Sequence, residues 1–313
     1  MKISRLSILA LCVVLGLLLF TNVAAASPTY LISYGDSLSD NGNLFAFTLQ
    51  NLGFGLPAPP YWQGRVSNGP VTVEYLAHNT GLSPLDFAWG GATTGIGNSL
   101  DGGTQTSFGA FGLPGMLTEL AQSQGTIAPI AHQSVAVVWG GPDDFLANGF
   151  SQHTADVAVS DILSIVNTLE GLHTSEIIVP GMPDLSLTPD YYGNAGVQAL
   201  SIYFNTQLQA DLPGNVRFID TFSLLHAIVA NPAAYGFTDV SDPCYVGDYY
   251  GNYTSLCSNP DQYLFWDGLH PTTRADEILA QSIQGQALPE PSTLLMLGSG
   301  VIGLGALVRR RMF

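Results

Sequence analysis

The chain has 313 residues, with 8 Lys or Arg against 24 Asp or Glu, and a formal charge of −16 at pH 7. Lys2, Arg5, Arg309, Arg310 and Arg311 sit at the two ends, so only Arg65, Arg217 and Arg274 offset the acids of the body. A body this one-sidedly acidic repels phosphate backbones and anionic lipid, which excludes nucleic acid as a partner; the charge serves solubility instead.

In chain order, Lys2 and Arg5 precede an apolar run over 6–20, broken only by Ser7, which ends at Ala24-Ala25-Ala26. That pattern predicts a secretory signal peptide over 1–26; the competing reading is a retained anchor. The first strand expected is TYLISY (29–34), followed at once by the polar turn GDSLSDNGN (35–43). Further strands are expected at PLDFAW (84–89), SVAVVWG (134–140), EIIVPG (176–181) and VRFID (216–220). Helices are expected between them, at PVTVEYLAHN (70–79), GMLTELAQSQ (115–124), TADVAVSDILSIVNTLEGLH (154–173) and AGVQALSIYFNTQLQADL (195–212). In the third of these, Val159, Ile162, Leu163, Ile165, Val166 and Leu169 recur at helical spacing. A last helix, TRADEILAQSIQG (273–285), follows His270-Pro271, with Pro271 suited to its first position. Strands alternating with helices predict an α/β fold with a mainly parallel sheet covered on both faces. Ligands in such sheets sit at the carboxyl ends of the strands, where GDSLSDNGN, GGATTGIGN (90–98) and GGPDDF (140–145) crowd glycine and polar residues.

Residues 90–115 are rich in glycine and poor in charge, which predicts a mobile loop with Phe108 and Phe111 as apolar contacts, or, if ordered, a wall of an acyl pocket. Tyr61 and Trp62 are further candidates to line that pocket. Cys12 leaves with the signal peptide; Cys244 and Cys257 are an even pair in an exported chain, so a disulfide is expected. Closing so short a loop is worth about 3 kcal/mol on the entropic account. Two cysteines with no histidine between them make a poor metal set. GGATTGIG lacks the spacing and the lysine of phosphate-binding loops. No metal or cofactor is expected.

A serine hydroxyl attacks only with a base beside it. Of the 6 histidines (His78, His132, His153, His173, His226 and His270), His270 alone stands in a suggestive setting, FWDGLHPT (265–272), with Asp267 three residues earlier. Such a carboxylate sets the tautomer and steadies the imidazolium.

Gly35-Asp36-Ser37-Leu38 after the first strand, Phe87 to Ala92, Gly140 to Asp144, and Asp267-Gly268-Leu269-His270-Pro271 stand in the order of the GDSL, or SGNH, esterase/lipase family. GRVSNGPVTVEYLA (64–77) and PDQYLFWDGLHPT (260–272) also resemble its secreted bacterial members. The resemblance implies a three-layer α/β/α, flavodoxin-like SGNH-hydrolase fold. It implies Ser37 as nucleophile, His270 as base and Asp267 as its orienting carboxylate. The N–H groups of Ser37 and Gly91 would be oxyanion donors. Where the family carries an oxyanion-hole Asn, this chain has Asp143. An ionised carboxylate only accepts hydrogen bonds. Two states of Asp143 are open: ionised and disabling, or buried and protonated so that it donates, with Asp144 favouring protonation.

The C-terminus reads Pro289-Glu290-Pro291, an uncharged run over 292–308 at the short limit for a bilayer span, and Arg309 to Arg311. It resembles the PEP-CTERM sorting signal of Gram-negative bacteria, which implies processing by an exosortase and release to the surface or exterior. A plain C-terminal anchor is the alternative. The expected division is a signal peptide over 1–26, one hydrolase domain over 27–288, and a sorting segment with a transmembrane helix over 289–313. The expected activity is an exported serine esterase or lipase acting on a carboxylic ester. The competing expectation is an impaired SGNH scaffold that binds a surface or matrix polysaccharide.

Overall fold

A computed structural model describes residues 27–288. The expected signal peptide and the transmembrane sorting segment lie outside the described residues; among those described, no helix is long and apolar enough to cross a membrane.

All five expected strands form, as β1 (Tyr30–Gly35), β2 (Ser83–Asp86), β3 (Ser134–Trp139), β4 (Glu176–Pro180) and β5 (Arg217–Ile219). They make one sheet in the order β2-β1-β3-β4-β5, every neighbouring pair parallel. The order reverses at β1, so the loops after β1 and β3 diverge and leave a crevice at their carboxyl ends.

β3, SVAVVW, is buried at every position because helices cover both faces. Alternation then sorts side chains between two cores. Ile32, Tyr34, Ala136, Val138, Ile177 and Val179 face one core. There they meet α3 (Met116–Ile127), α5 (Gln152–Gly171) and α6 (Ala195–Asp211). Leu31, Val135, Val137, Ile178 and Ile219 face the other, against α2 (Thr72–Thr80) and α9 (Thr273–Ala287). The result is the expected three-layer α/β/α arrangement.

Several elements escape the periodicity argument. α1 (Asn43–Leu52) has no charged residue to mark a solvent face. α4 (Pro142–Asn148) is two turns, and α7 (Thr221–Ala230) is apolar on most sides. The short α8 (Pro232–Tyr235) and strands β6 (Asp239–Pro243), β7 (Tyr245–Gly247), β8 (Tyr253–Leu256) and β9 (Tyr263–Phe265) follow. β7 and β8 pair antiparallel within the loop closed by the expected Cys244–Cys257 disulfide. Pro271 is not the first residue of α9: it bridges back to Phe265, and Thr272 caps the helix by accepting from the Ala275 N–H.

The glycine-rich stretch after β2 is stitched rather than loose. Ile96 N–H donates to Gln105 O at 2.9 Å, and Gly97 N–H to Thr104 O at 3.0 Å. The Asn98 amide reaches Gly90 O, and the Asp101 carboxylate accepts from Phe111 and Leu113 N–H. Small side chains let these backbone segments approach closely.

Candidate active site

Ser37 sits in the turn directly after β1. Gly35 ends that strand against β3, where a Cβ would come within 2.2 Å of Trp139 O, so only glycine fits. Asp36 then folds the turn: its Oδ1 accepts from Leu38 N–H at 3.0 Å, and its carbonyl accepts from Ser39 and Asp40 N–H. This tight turn projects Ser37 at the carboxyl edge of the sheet.

His270 and Asp267 arrive from the segment between β9 and α9. Asp267 Oδ1 accepts from Leu269 N–H at 2.9 Å and His270 N–H at 2.8 Å, a local turn that holds the two side chains together. His270 Nδ1 lies 2.9 Å from Asp267 Oδ1, and His270 Nε2 lies 2.8 Å from Ser37 Oγ. The three residues expected from sequence therefore form one hydrogen-bonded chain, and all are buried. Burial by itself would raise Asp267, but the adjoining imidazole and the two N–H bonds hold it below the usual carboxylate range. Burial by itself would lower His270, but the charge of Asp267, with Asp143 and Asp36 behind it, raises it above its ordinary value.

Gly91 follows β2 with φ +81°, in the left-handed region, and a Cβ there would come within 2.5 Å of Asn98 Oδ1. The neighbouring Gly90 N–H is taken by Asp40 Oδ2 at 2.7 Å. The N–H groups of Ser37 and Gly91 have no partner among the described residues. They are free to serve a ligand.

Asp143 lies in the first turn of α4, buried, with Ser99 Oγ donating to its Oδ1 at 2.7 Å. Burial pushes it up to about 6, against the Ser99 bond and the His270 charge, which lower it. Asp144 is not what raises it. That carboxylate turns away to the Thr94 N–H and hydroxyl, the latter at 2.7 Å. The carboxyl that does feel Asp143 on the nucleophile side is Asp36, raised well above its usual range by burial and then by Asp143.

Tyr61 and Trp62 do not line the cavity. Tyr61 is buried among Tyr245, Tyr249 and Trp266, with its hydroxyl donating to Asp267 Oδ2 at 2.8 Å. The Trp62 ring lies under the Arg65 guanidinium at 5.0 Å. Sequence reasoning missed Ser99 and the role of Tyr61, because both act across long separations on groups that carry no local motif. Phe108 stays exposed, whereas Phe111 reaches the cavity.

That cavity, of about 420 Å³, opens over Ser37, Gly91, Asp143 and His270. Its walls are mostly aliphatic and aromatic, including Leu44, Leu113, Leu185 and Tyr249. Among the described residues no cluster of His, Cys, Asp or Glu is arranged to hold a metal ion.

Residues 32–283 match the model of the GDSL-like Lipase/Acylhydrolase family. The phosphatidylcholine-sterol acyltransferase of Aeromonas hydrophila is 28% identical over 287 residues, spanning 86% of this chain and 83% of that protein. A GDSL esterase/lipase of Arabidopsis thaliana is 25% identical over 323 residues, spanning 83% and 91%. A solved lipolytic G-D-S-L protein from Veillonella parvula superposes with a TM-score of 0.47 at 14% identity, covering 82% of this chain and 97% of that one. Residues 287–311 match the PEP-CTERM protein-sorting motif, a mark of export in Gram-negative bacteria. A family match across nearly the whole described body, over the expected parallel sheet, makes this chain a member of the GDSL-like lipase/acylhydrolase family and a carboxylic ester hydrolase.

Proposed function

We propose that this chain is an exported serine esterase working through an acyl-enzyme, with Ser37 as nucleophile, His270 as base and Asp267 as its orienting carboxylate. The hydrogen-bonded chain from Ser37 Oγ to His270 to Asp267 carries the reading. Ser37 Oγ attacks the ester carbonyl as His270 Nε2 takes its proton. The carbonyl oxygen becomes an oxyanion between the free N–H groups of Ser37 and Gly91. Collapse expels the alcohol, which takes the proton from His270. Water, activated by the same imidazole, then releases the acid and restores Ser37. The acyl group lodges in the apolar cavity. The name of the Aeromonas relative extends the possibilities to an alcohol in place of water as acceptor.

The proposed organisation is a signal peptide over 1–26, the hydrolase over 27–288 and a sorting segment over 289–313, which an exosortase-type enzyme would process. Asp143 favours a second reading, a scaffold of impaired catalysis that binds surface or exopolysaccharide. The two separate in one assay. If the esterase reading holds, the natural protein hydrolyses p-nitrophenyl butyrate and reacts with a fluorophosphonate, and Ser37→Ala does neither. A silent natural protein that Asp143→Asn alone switches on would favour the binding scaffold. Turnover by Ser37→Ala equal to that of the natural protein would sink the esterase reading.

A further inference from the structure

We propose that the mouth of the cavity docks on an uncharged or zwitterionic lipid surface, so that the substrate is met as part of an aggregate rather than as a free molecule. This names the physical state of the substrate and so rests on the esterase reading, but its test does not use turnover.

The first observation is where the exposed apolar side chains lie. Leu52, Leu100, Phe111, Leu146, Phe150 and Tyr250 are all large, apolar and exposed, and all line the one cavity that opens over Ser37. They come from four separate parts of the chain, so local sequence does not account for their convergence. Leu49 is 50% exposed one turn before Leu52 on α1, and Phe54, 45% exposed, packs on Tyr250 with ring centroids 6.0 Å apart. Together they extend the apolar rim outward from the cavity. A contiguous apolar surface of this kind marks a contact with a membrane or a partner.

The second observation is charge. No charged side chain occurs in residues 41–64, which carry Leu49, Leu52 and Phe54, nor in 102–118, which carry Phe111. An ordinary solvent-facing helix such as α9 interleaves Arg, Asp and Glu; α1 has none. Elsewhere the body is strongly acidic. Among the described residues its only Lys or Arg side chains, Arg65, Arg217 and Arg274, are each engaged, by Glu74, Glu176 and Glu277. The rim therefore offers nothing to an anionic headgroup, and the net negative body repels one. A protein seated on this rim would close the cleft that has to admit the ester. A lipid surface instead delivers the ester into it. These constraints select a neutral or zwitterionic lipid surface.

The test reads insertion at one site, independently of the chain ends. In the full chain with Cys12→Ser, a polarity-sensitive thiol dye is placed at Phe54→Cys, or at His132→Cys beside the amino end of β3, the edge of the sheet away from the site. With phosphatidylcholine vesicles, the dye at 54 is expected to shift to the blue and brighten, and the dye at 132 to stay as in buffer. Ser37→Ala is expected to give the same shift, so loss of esterase activity does not affect the outcome. Leu49→Gln should raise the lipid concentration needed by about fivefold, from the apolar area withheld from the lipid. Replacing a third of the phosphatidylcholine with phosphatidylserine should weaken the response. No shift at position 54, or equal shifts at 54 and 132, would overturn lipid docking. Binding unchanged or strengthened by phosphatidylserine would overturn its preference for uncharged lipid.

Discussion

The hydroxyl of Ser99 lies 2.7 Å from Oδ1 of Asp143 and donates to it. Since Ser99 occupies Oδ1, a proton on Asp143 resides on Oδ2. In that state the buried carboxyl becomes a hydrogen-bond donor, as the amide of an asparagine would be. On the proposed mechanism, a carboxyl at this position makes the activity depend on pH where an amide would not.

Asp143, raised to about 6, is protonated below that pH and ionised above it. His270, raised above its usual 6.5, is neutral only at higher pH. On the proposed mechanism the working form needs the proton on Asp143 and none on His270, so the pair titrates as a unit. Activity is expected in a narrow bell that falls on the alkaline side. In Asp143→Asn the amide donates at every pH, so the alkaline fall should vanish. At pH 8 that variant should gain about 10²–10³ in kcat, the worth of one oxyanion donor. Its acid limb should remain, and should not move to lower pH, because His270 must still lose its proton to act as base and in the working form already faces a neutral Asp143. Initial rates of ester hydrolysis from pH 5 to 9 check this, and an unaltered alkaline limb in the variant refutes it.

Tyr61 donates to Asp267 Oδ2 at 2.8 Å, while His270 Nδ1 lies 2.9 Å from Oδ1 and 3.0 Å from Oδ2. Its hydroxyl shares the charge of the carboxylate and fixes its plane, which makes it a positioning residue. Hydrogen bonds to charged groups are worth about 1.5–3 kcal/mol, so Tyr61→Phe should lower kcat by roughly tenfold or more with little change in KM. A carboxylate relieved of one donor holds the imidazolium more firmly, so the acid limb should also move to higher pH. A loss confined to thermal stability, with both the limb and kcat unmoved, would leave Tyr61 a packing residue.

Buried acids govern stability against pH. Burial raises Asp86 and Asp276 to about 8 and Asp144 to about 7, from an ordinary 3.8. Groups whose pKa rises on folding add stability that is whole below the unfolded value and lost as pH climbs through the folded one. Asp267 and Asp184 run the other way: both are lowered, so their contribution is lost as pH falls through their folded values. Tm should therefore peak near pH 4–5, decline towards pH 8 and then level. Asp276→Asn, facing the Thr72 and Ser67 hydroxyls, should flatten the decline. Calorimetric scans across that range decide it. A Tm that climbs from pH 5 to 8 contradicts the account.

The Cys244–Cys257 bridge closes a 13-residue separation around β7 and β8. Removing it by Cys244→Ala with Cys257→Ala should cost about 3 kcal/mol on the loop-entropy estimate. The same loop carries Tyr249 and Tyr250, both on the cavity wall, so KM for an apolar ester should rise as well. Chemical denaturation and steady-state kinetics of the double variant measure the two effects separately.

The sequence by itself determined whatever depends on residues adjacent in the chain. Gly35 to Leu38 announces a tight turn after a strand, and Asp267 to His270 closes its own turn, so both halves of the Ser–His–Asp chain were legible. The five sheet strands were legible too, since full burial writes apolar β-branched runs such as Ser134 to Trp139 into the chain. Parity and export were enough to pair Cys244 with Cys257. Only the tertiary structure decided what meets across distance. Tyr61 and Asp267 are 206 residues apart, and Ser99 and Asp143 are 44 apart. No periodicity or motif encodes such a meeting, because it follows from how the layers pack. The same holds for α1: its uncharged sequence marks no solvent face, and only the fold sets its exposed Leu52 on the cavity. The ionisation of Asp143 was likewise open in the sequence, because a carboxyl's pKa is set by the solvent withdrawn from it and the partners left to it, and both are properties of the folded surroundings.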